Sequence, residues 1–304
     1  MILTINKKII FFVFLLLILK IIIASYLPLI NDEAYAIAVS KNFSLSFFDH
    51  PPLGFWSSSI FTNIIGQENP ILYRLPYIFY GLATSLILYK IGETLYSPEV
   101  GNWSVILYNI APFFFFSGGM FVVPDAPLNL GIILSTFIII KIHKSSGKIL
   151  NNNYFIFLGL SLALCFASKY QGYLFGVGCL LVLFFSNKKK LFFKNKYFYI
   201  CVLLSLMGSF PTIFWNYQNE WVSFKFHGSR QDFNIYIHNL ILMLFVLTIY
   251  LLPQIVFIPI YKMFRFMKTF GKENEFQQLE TYLIIMALPN ILVFAFVSSP
   301  VMRH

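Results

Sequence analysis

The chain is 304 residues long, 58% hydrophobic and only 11% charged, where a soluble domain carries about 25% charged residues. It has too little polar surface to cover a water-soluble fold of this size, which excludes the ordinary soluble classes and places the chain in a bilayer. A net charge of +10 does not call for a nucleic-acid partner, because membrane topology accounts for the lysines.

Lys7 and Lys8 precede the apolar run from Ile9 to Ile30. A basic start and a hydrophobic middle also describe a signal peptide. The run is long enough to span, however, and no small-x-small cleavage pattern precedes Asn31, so an uncleaved first helix is expected. Lys20, inside that helix, is expected to turn toward the bundle interior. Further spans of ~17–25 residues are expected at 71–91, 100–120, 127–143, 153–168, 171–187, 197–215, 237–261 and 281–300. The fold class read from this pattern is all-α, a polytopic transmembrane helical bundle of about nine spans. Residues 31–70 are expected to form one or two short helices along the interface, anchored by Phe47, Phe48 and Trp56. Neither a soluble domain nor an internal repeat is visible, so residues 1–304 read as one domain.

The charges fix an orientation. With the N-terminus cytoplasmic, the inner loops hold fifteen of the 22 basic residues: Lys7, Lys8, Lys90, Lys141, Lys144, Lys148, Lys188, Lys189, Lys190, Lys194, Lys196, Lys262, Arg265, Lys268 and Lys272. This bias satisfies the positive-inside rule loop after loop. It also puts Asp32, Glu33, Asp49, His50, Asp125, Lys169, His227 and Arg230 on the outer face. Convergence of scattered polar groups on one side is what an active site requires.

Each motif has a functional and a structural reading. Asp32-Glu33 follows a long apolar run, where a carboxylate is costly to hold near lipid. It suits a general base, and equally an N-terminal helix cap. Asp49-His50-Pro51-Pro52 sets a carboxylate and an imidazole on a rigid turn, or simply stops a helix. Pro124-Asp125-Ala126-Pro127 repeats the pattern, and Asp before a proline-marked helix start is an ordinary cap. Lys169, in Ser168-Lys169-Tyr170, suits an anionic group such as phosphate, or snorkels to the interface. The run 216–230, with Trp221, Phe224, Phe226, His227 and Arg230, reads as an aromatic belt, or as a phosphate site using Arg230. Cys165, Cys179 and Cys201 lie in apolar runs without metal-ligand spacing and read as small core residues. No phosphate-binding glycine loop is present, which argues against nucleotide-driven chemistry.

In order, the segments NDEAYAIAVS, FDHPPLGFW, YRLPYIFYG, VPDAPLNL, ASKYQGYLFG and WNYQNEWVSFKFHGSRQ resemble the bacterial branch of the protein mannosyltransferase-like, or GT-C, integral membrane glycosyltransferases. Relatives there include the transferases that attach aminoarabinose or galacturonic acid to lipid A. The resemblance runs from about Ile9 to the end. It implies sugar transfer, with inversion, from a polyprenyl-phosphate carrier to a lipid A or glycolipid, polysaccharide or protein acceptor at the periplasmic face of a bacterial inner membrane. Asp32 falls at the position of the base, Glu33 at that of its supporting residue, and Asp125 at that of a second carboxylate. His50 stands where relatives often have a basic residue that meets the phosphate. Lys169, His227 and Arg230 resemble further phosphate contacts, and Asp49, Arg74 and Tyr170 complete the expected substrate-binding set. Some members use a divalent cation and others none, so no metal is assigned. Relatives continue beyond the Met302-Arg303-His304 end, so a C-terminally truncated domain is expected. The competing readings are a lipid or solute transporter, which would show paired halves and discontinuous helices, and an inactive membrane fragment or scaffold.

Overall fold

A computed structural model describes residues 7–66, 69–145, 152–186, 189–229, 237–253, 257–258, 260–261 and 275–297, and among them the only regular structure is helical. The helices are α1 (Lys7–Tyr26), α2 (Asn31–Ser40), α3 (Leu53–Ile65), α4 (Pro70–Leu95), α5 (Pro98–Ile110), α6 (Pro112–Phe115), α7 (Asp125–Lys144), α8 (Asn153–Ser168), α9 (Gln171–Phe185), α10 (Lys189–Phe193), α11 (Lys196–Gln218), α12 (Val222–Ser229), α13 (Ile237–Leu251) and α14 (Glu275–Val297).

Helix starts follow local chemistry. Asn69 accepts from the Ile71 amide at 2.8 Å ahead of Pro70, and Asn195 accepts from the Tyr197 amide at 2.9 Å. Each satisfies an amide that has no partner within its helix. At the end of α3, Gly66 takes φ 70° and bonds back to the Thr62 carbonyl, a left-handed cap that a side chain would strain.

Among the described residues, α1, α4, α7 and α11 are long and apolar enough to cross a membrane. The expected pair at 153–168 and 171–187 forms shorter apolar helices of 16 and 15 residues. The polytopic helical class holds; the tally of nine spans is not fixed by these helices, and the expected 237–261 span lies partly outside the described residues. One expected span, 100–120, is broken. Ala111 sits at φ −69°, ψ 121°, because the Pro112 ring excludes its predecessor from the helical region. The chain therefore leaves α5, makes the single turn of α6 and winds through 116–124 toward α7.

Three apolar clusters hold the bundle. One joins α7, α8, α9, α11 and α14. A second joins α1, α4, α5 and Met120. The third lies under the short helices, where Ala36, Ile37, Phe47, Phe55, Tyr73, Tyr77, Val122 and Ala126 meet. Cys165 and Cys201 are buried, and all three cysteines are free.

The winding segment before α7 is pinned from behind. Lys20 is fully buried and donates from Nζ to the carbonyls of Phe115 at 2.9 Å and Gly119 at 3.0 Å, so it faces inward as expected. Gly81 on α4 packs on the same turn: a Cβ there would lie 2.5 Å from the Gly119 Cα. Since the obstacle is backbone, it cannot swing aside. Gly81→Ala is expected to destabilise the protein by about 1–3 kcal/mol, read as a lower Tm in detergent.

Candidate active site

The sequence of α2 sorts its own side chains. Glu33, Ala36, Ile37 and Ser40 recur at helical spacing and form the buried face. Asp32 is offset from Glu33 by one residue, about 100° around the helix. It therefore points elsewhere, into an open cavity of ≈ 630 Å³. Around that cavity stand Asp32 and Tyr35 from α2, Phe48, Asp49 and His50 from the following loop, and Phe55 from α3. Val122, Val123, Pro124 and Asp125 enter from the α7 approach, Lys169 from the α8–α9 turn, and Phe226 and His227 from α12.

Two charged arrangements dominate the cavity. On one side Lys169 Nζ reaches both Asp125 oxygens, at 2.9 and 3.1 Å; the two side chains are 21% and 20% exposed. On the other, Asp49 holds a fan of groups. His50 Nδ1 lies 3.0 Å from its Oδ2, Tyr35 donates to Oδ1 at 3.1 Å, and His227 donates from Nε2 to its backbone carbonyl at 2.9 Å. Burial alone would raise the Asp49 carboxyl, but the His50 and Tyr35 contacts outweigh it and hold the group below the usual carboxylate range. Burial, and then the Asp49 charge, push the Tyr35 phenol up to about 12, so it remains a donor.

The loop carrying Asp49 and His50 is itself clamped. Ser46 donates to the His50 carbonyl at 3.3 Å, Trp56 Nε1 to the Ser44 carbonyl at 2.8 Å, and Ser223 to the Phe47 carbonyl at 3.3 Å. Phe48 packs on Phe226 with centroids 4.5 Å apart. Helix α12 thus lies across the loop as one wall of the cavity.

Glu33 and Arg74 are not on that wall. Both side chains are fully buried. Arg74 bonds Glu33 through Nε at 2.8 Å and Nη2 at 2.5 Å, and its remaining donors satisfy the carbonyls of Ala24, Leu27 and Pro28. Glu33 also accepts from the amides of Ile30 at 3.2 Å and Val122 at 3.1 Å. Arg74, expected among the substrate contacts, is therefore enclosed as a clamp: it ties α1, α2 and α4 together behind the cavity, because an unpaired Glu33 carboxylate could not be buried there. Glu33, expected beside the reacting groups, fixes the start of α2 and the backbone at Val122.

Tyr170 stands outside the lining, with its ring 4.9 Å from that of His227 and 6.3 Å from that of Tyr173. Burial pushes its phenol up. Tyr173 in turn lines an apolar cavity of ≈ 410 Å³ between α7, α8, α9, α11 and α14. The Tyr173–Tyr170–His227 chain of rings leads from that greasy space to the polar one. Arg230 lies outside the described residues. Tyr35 was not anticipated, and Phe226 was expected only as part of the aromatic run 216–230. The signal for Tyr35 was its spacing, three residues after Asp32 on the same helix face.

Among the described residues a divalent cation finds no ready ligand set: no group of three His, Cys, Asp or Glu is arranged to hold one, and Asp49 and Asp125 are engaged by His50, Tyr35 and Lys169.

Residues 49–215 match the family described as dolichyl-phosphate-mannose-protein mannosyltransferase. The crystal structure of ArnT from Cupriavidus metallidurans bound to undecaprenyl phosphate has a similar fold, with a TM-score of 0.67 at 14% sequence identity. The similarity covers 96% of this chain and 55% of that one, so the chain spans about half the length of that protein. No curated protein matches the chain.

Proposed function

The chain belongs to the dolichyl-phosphate-mannose-protein mannosyltransferase family, and from that membership we propose that it is a membrane glycosyltransferase drawing its sugar from a polyprenyl-phosphate donor. The observation that carries this reading is the cavity in which Asp32, Asp49, His50, Asp125, Lys169 and His227 converge, next to an apolar space that suits an isoprenoid tail. Each methylene of such a tail contributes about 0.8 kcal/mol when buried. Its phosphate would be met by the Lys169 ammonium, whose charge stabilises it as it departs, with His50 beside it as a hydrogen-bonding partner; the further phosphate contact expected of Arg230 lies outside the described residues. The ArnT structure similar in fold holds undecaprenyl phosphate, which agrees with this donor class.

Asp32 takes the proton from the acceptor hydroxyl or amine. The freed lone pair attacks the anomeric carbon opposite the phosphate, the bond from that carbon to the phosphate oxygen breaks, and its electrons leave on the phosphate. Attack from the far face inverts the anomeric centre. Glu33 and Arg74 act through position, by holding α2 so that Asp32 faces the cavity. The proposed setting is a bacterial inner membrane, with the N-terminus cytoplasmic and the cavity on the periplasmic side, where a lipid A, polysaccharide or protein acceptor would be met.

The test incubates membranes containing the full chain with a labelled polyprenyl-phosphate sugar and candidate acceptors. Transfer with inverted anomeric configuration, read by NMR of the product, is the expected result. Label that moves across the bilayer without transfer would make the protein a carrier. Neither movement nor transfer would leave it a scaffold.

A further inference from the structure

We infer that Asp125 competes with the donor phosphate for Lys169, so that the donor enters by displacing a carboxylate of the protein itself. The inference rests on the proposed donor class and goes further, to the order of events in the site.

The geometry is that of a stand-in. Lys169 is the one lysine among the described residues of the cavity lining. In this structure Asp125 takes it with both oxygens, at 2.9 and 3.1 Å, much as a phosphate would present two of its own. Both partners line the cavity and keep about a fifth of their side-chain surface exposed, so the pair can be approached without unfolding anything. Lysine suits an exchange, being a point charge on a flexible stem that can turn between partners. Asp125 cannot follow it, because it begins α7, two residues before Pro127.

Charge supplies the reason for a competition. The described lining carries three carboxylates, Asp32, Asp49 and Asp125, against one lysine and two histidines. Asp49 is already engaged by His50 and Tyr35. While Asp125 holds Lys169, the one lysine of the described lining is already neutralised when a phosphate arrives. The donor's phosphodiester equals the carboxylate in charge and in free oxygens, and it wins because burial of its isoprenoid tail adds binding energy that Asp125 does not oppose. Once it does, Asp125 is left without its counter-ion in the cavity that Asp32 also lines, where a carboxylate can hold the acceptor's hydroxyl or amine. Donor binding would thus precede acceptor binding.

The experiment measures equilibrium binding of radiolabelled undecaprenyl phosphate, the donor's carrier without its sugar, to the purified full chain, with inorganic phosphate titrated in parallel as competitor. Asp125→Asn is expected to bind the lipid phosphate on the order of fivefold more tightly than the unsubstituted protein. Lys169→Met is expected to bind it on the order of tenfold more weakly. The decisive arm is the double variant: with Lys169→Met in place, Asp125→Asn should bring no gain, since there is no lysine left to release. Asp125→Ser, which keeps an oxygen at the helix start, repeats the test should Asn disturb folding. Equal binding by the unsubstituted protein and both Asp125 variants overturns the inference while leaving the donor assignment standing. A gain that persists without Lys169 also overturns it, because removing any negative charge near the phosphate would then suffice. Should the unsubstituted protein bind inorganic phosphate as well as the lipid form, or neither of them, the donor assignment falls with it.

Discussion

Asp32→Asn is expected to lower turnover about 10²–10⁴-fold, the usual worth of a positioned general base, with little change in donor binding. The substitution conserves shape. Asp32 is exposed in the first turn of α2, so its structural contribution is confined to the favourable pairing of a carboxylate with a helix N-terminus, about 0.3–1 kcal/mol. Stability should therefore move little while catalysis falls. A proton taken only in the transition state predicts that kcat and kcat/KM fall together. Loss of substrate affinity would instead appear in KM alone. Turnover within about twofold of the unsubstituted enzyme would remove Asp32 from the base role, and His50, whose Nδ1 lies 3.0 Å from Asp49 Oδ2, would become the group to test next.

How far this site could be read in advance depends on which residues carry their information locally. The apolar runs announced α1, α4, α7 and α11, because a spanning helix must be continuous in sequence. The segments around Asp32, Asp49, Asp125 and Lys169 announced themselves too, being polar where the surroundings are greasy. Their convergence in one cavity needed the fold, since the α8–α9 turn and the start of α7 are far apart in the chain. The break at Ala111–Pro112 was legible in principle: a proline within an apolar run disfavours helix at the residue before it. Arg74 was the least legible. A lone arginine beside an interfacial motif looks the same on paper whether it meets a ligand or three backbone carbonyls. Only the buried Glu33 opposite, on the α2 face that also holds Ala36 and Ile37, decides between them.

That pair underlies the largest expected loss of stability. Arg74→Met is expected to cost about 3–5 kcal/mol, because it strands the Glu33 carboxylate in a fully buried site without its partner. The carbonyls of Ala24, Leu27 and Pro28 lose their donors in the same step, so the α1–α2 connection should loosen along with α2. Glu33→Gln should be milder in volume but still harmful, since it leaves the guanidinium uncompensated. The informative case is the double variant Glu33→Leu with Arg74→Met. Replacing a buried ion pair by apolar groups of similar size is often neutral for stability, so its Tm in detergent is expected to recover much of the single-variant loss. Transfer should not recover with it: the Val122 amide would still lack the acceptor that now holds it at 3.1 Å, and the backbone leading to Asp125 would no longer be tied to the helix that aims Asp32. Stability and activity regained together would reduce the pair to packing. A cost below about 1 kcal/mol for Arg74→Met, no more than an exposed ion pair, would mean that α2 is anchored by its apolar face alone.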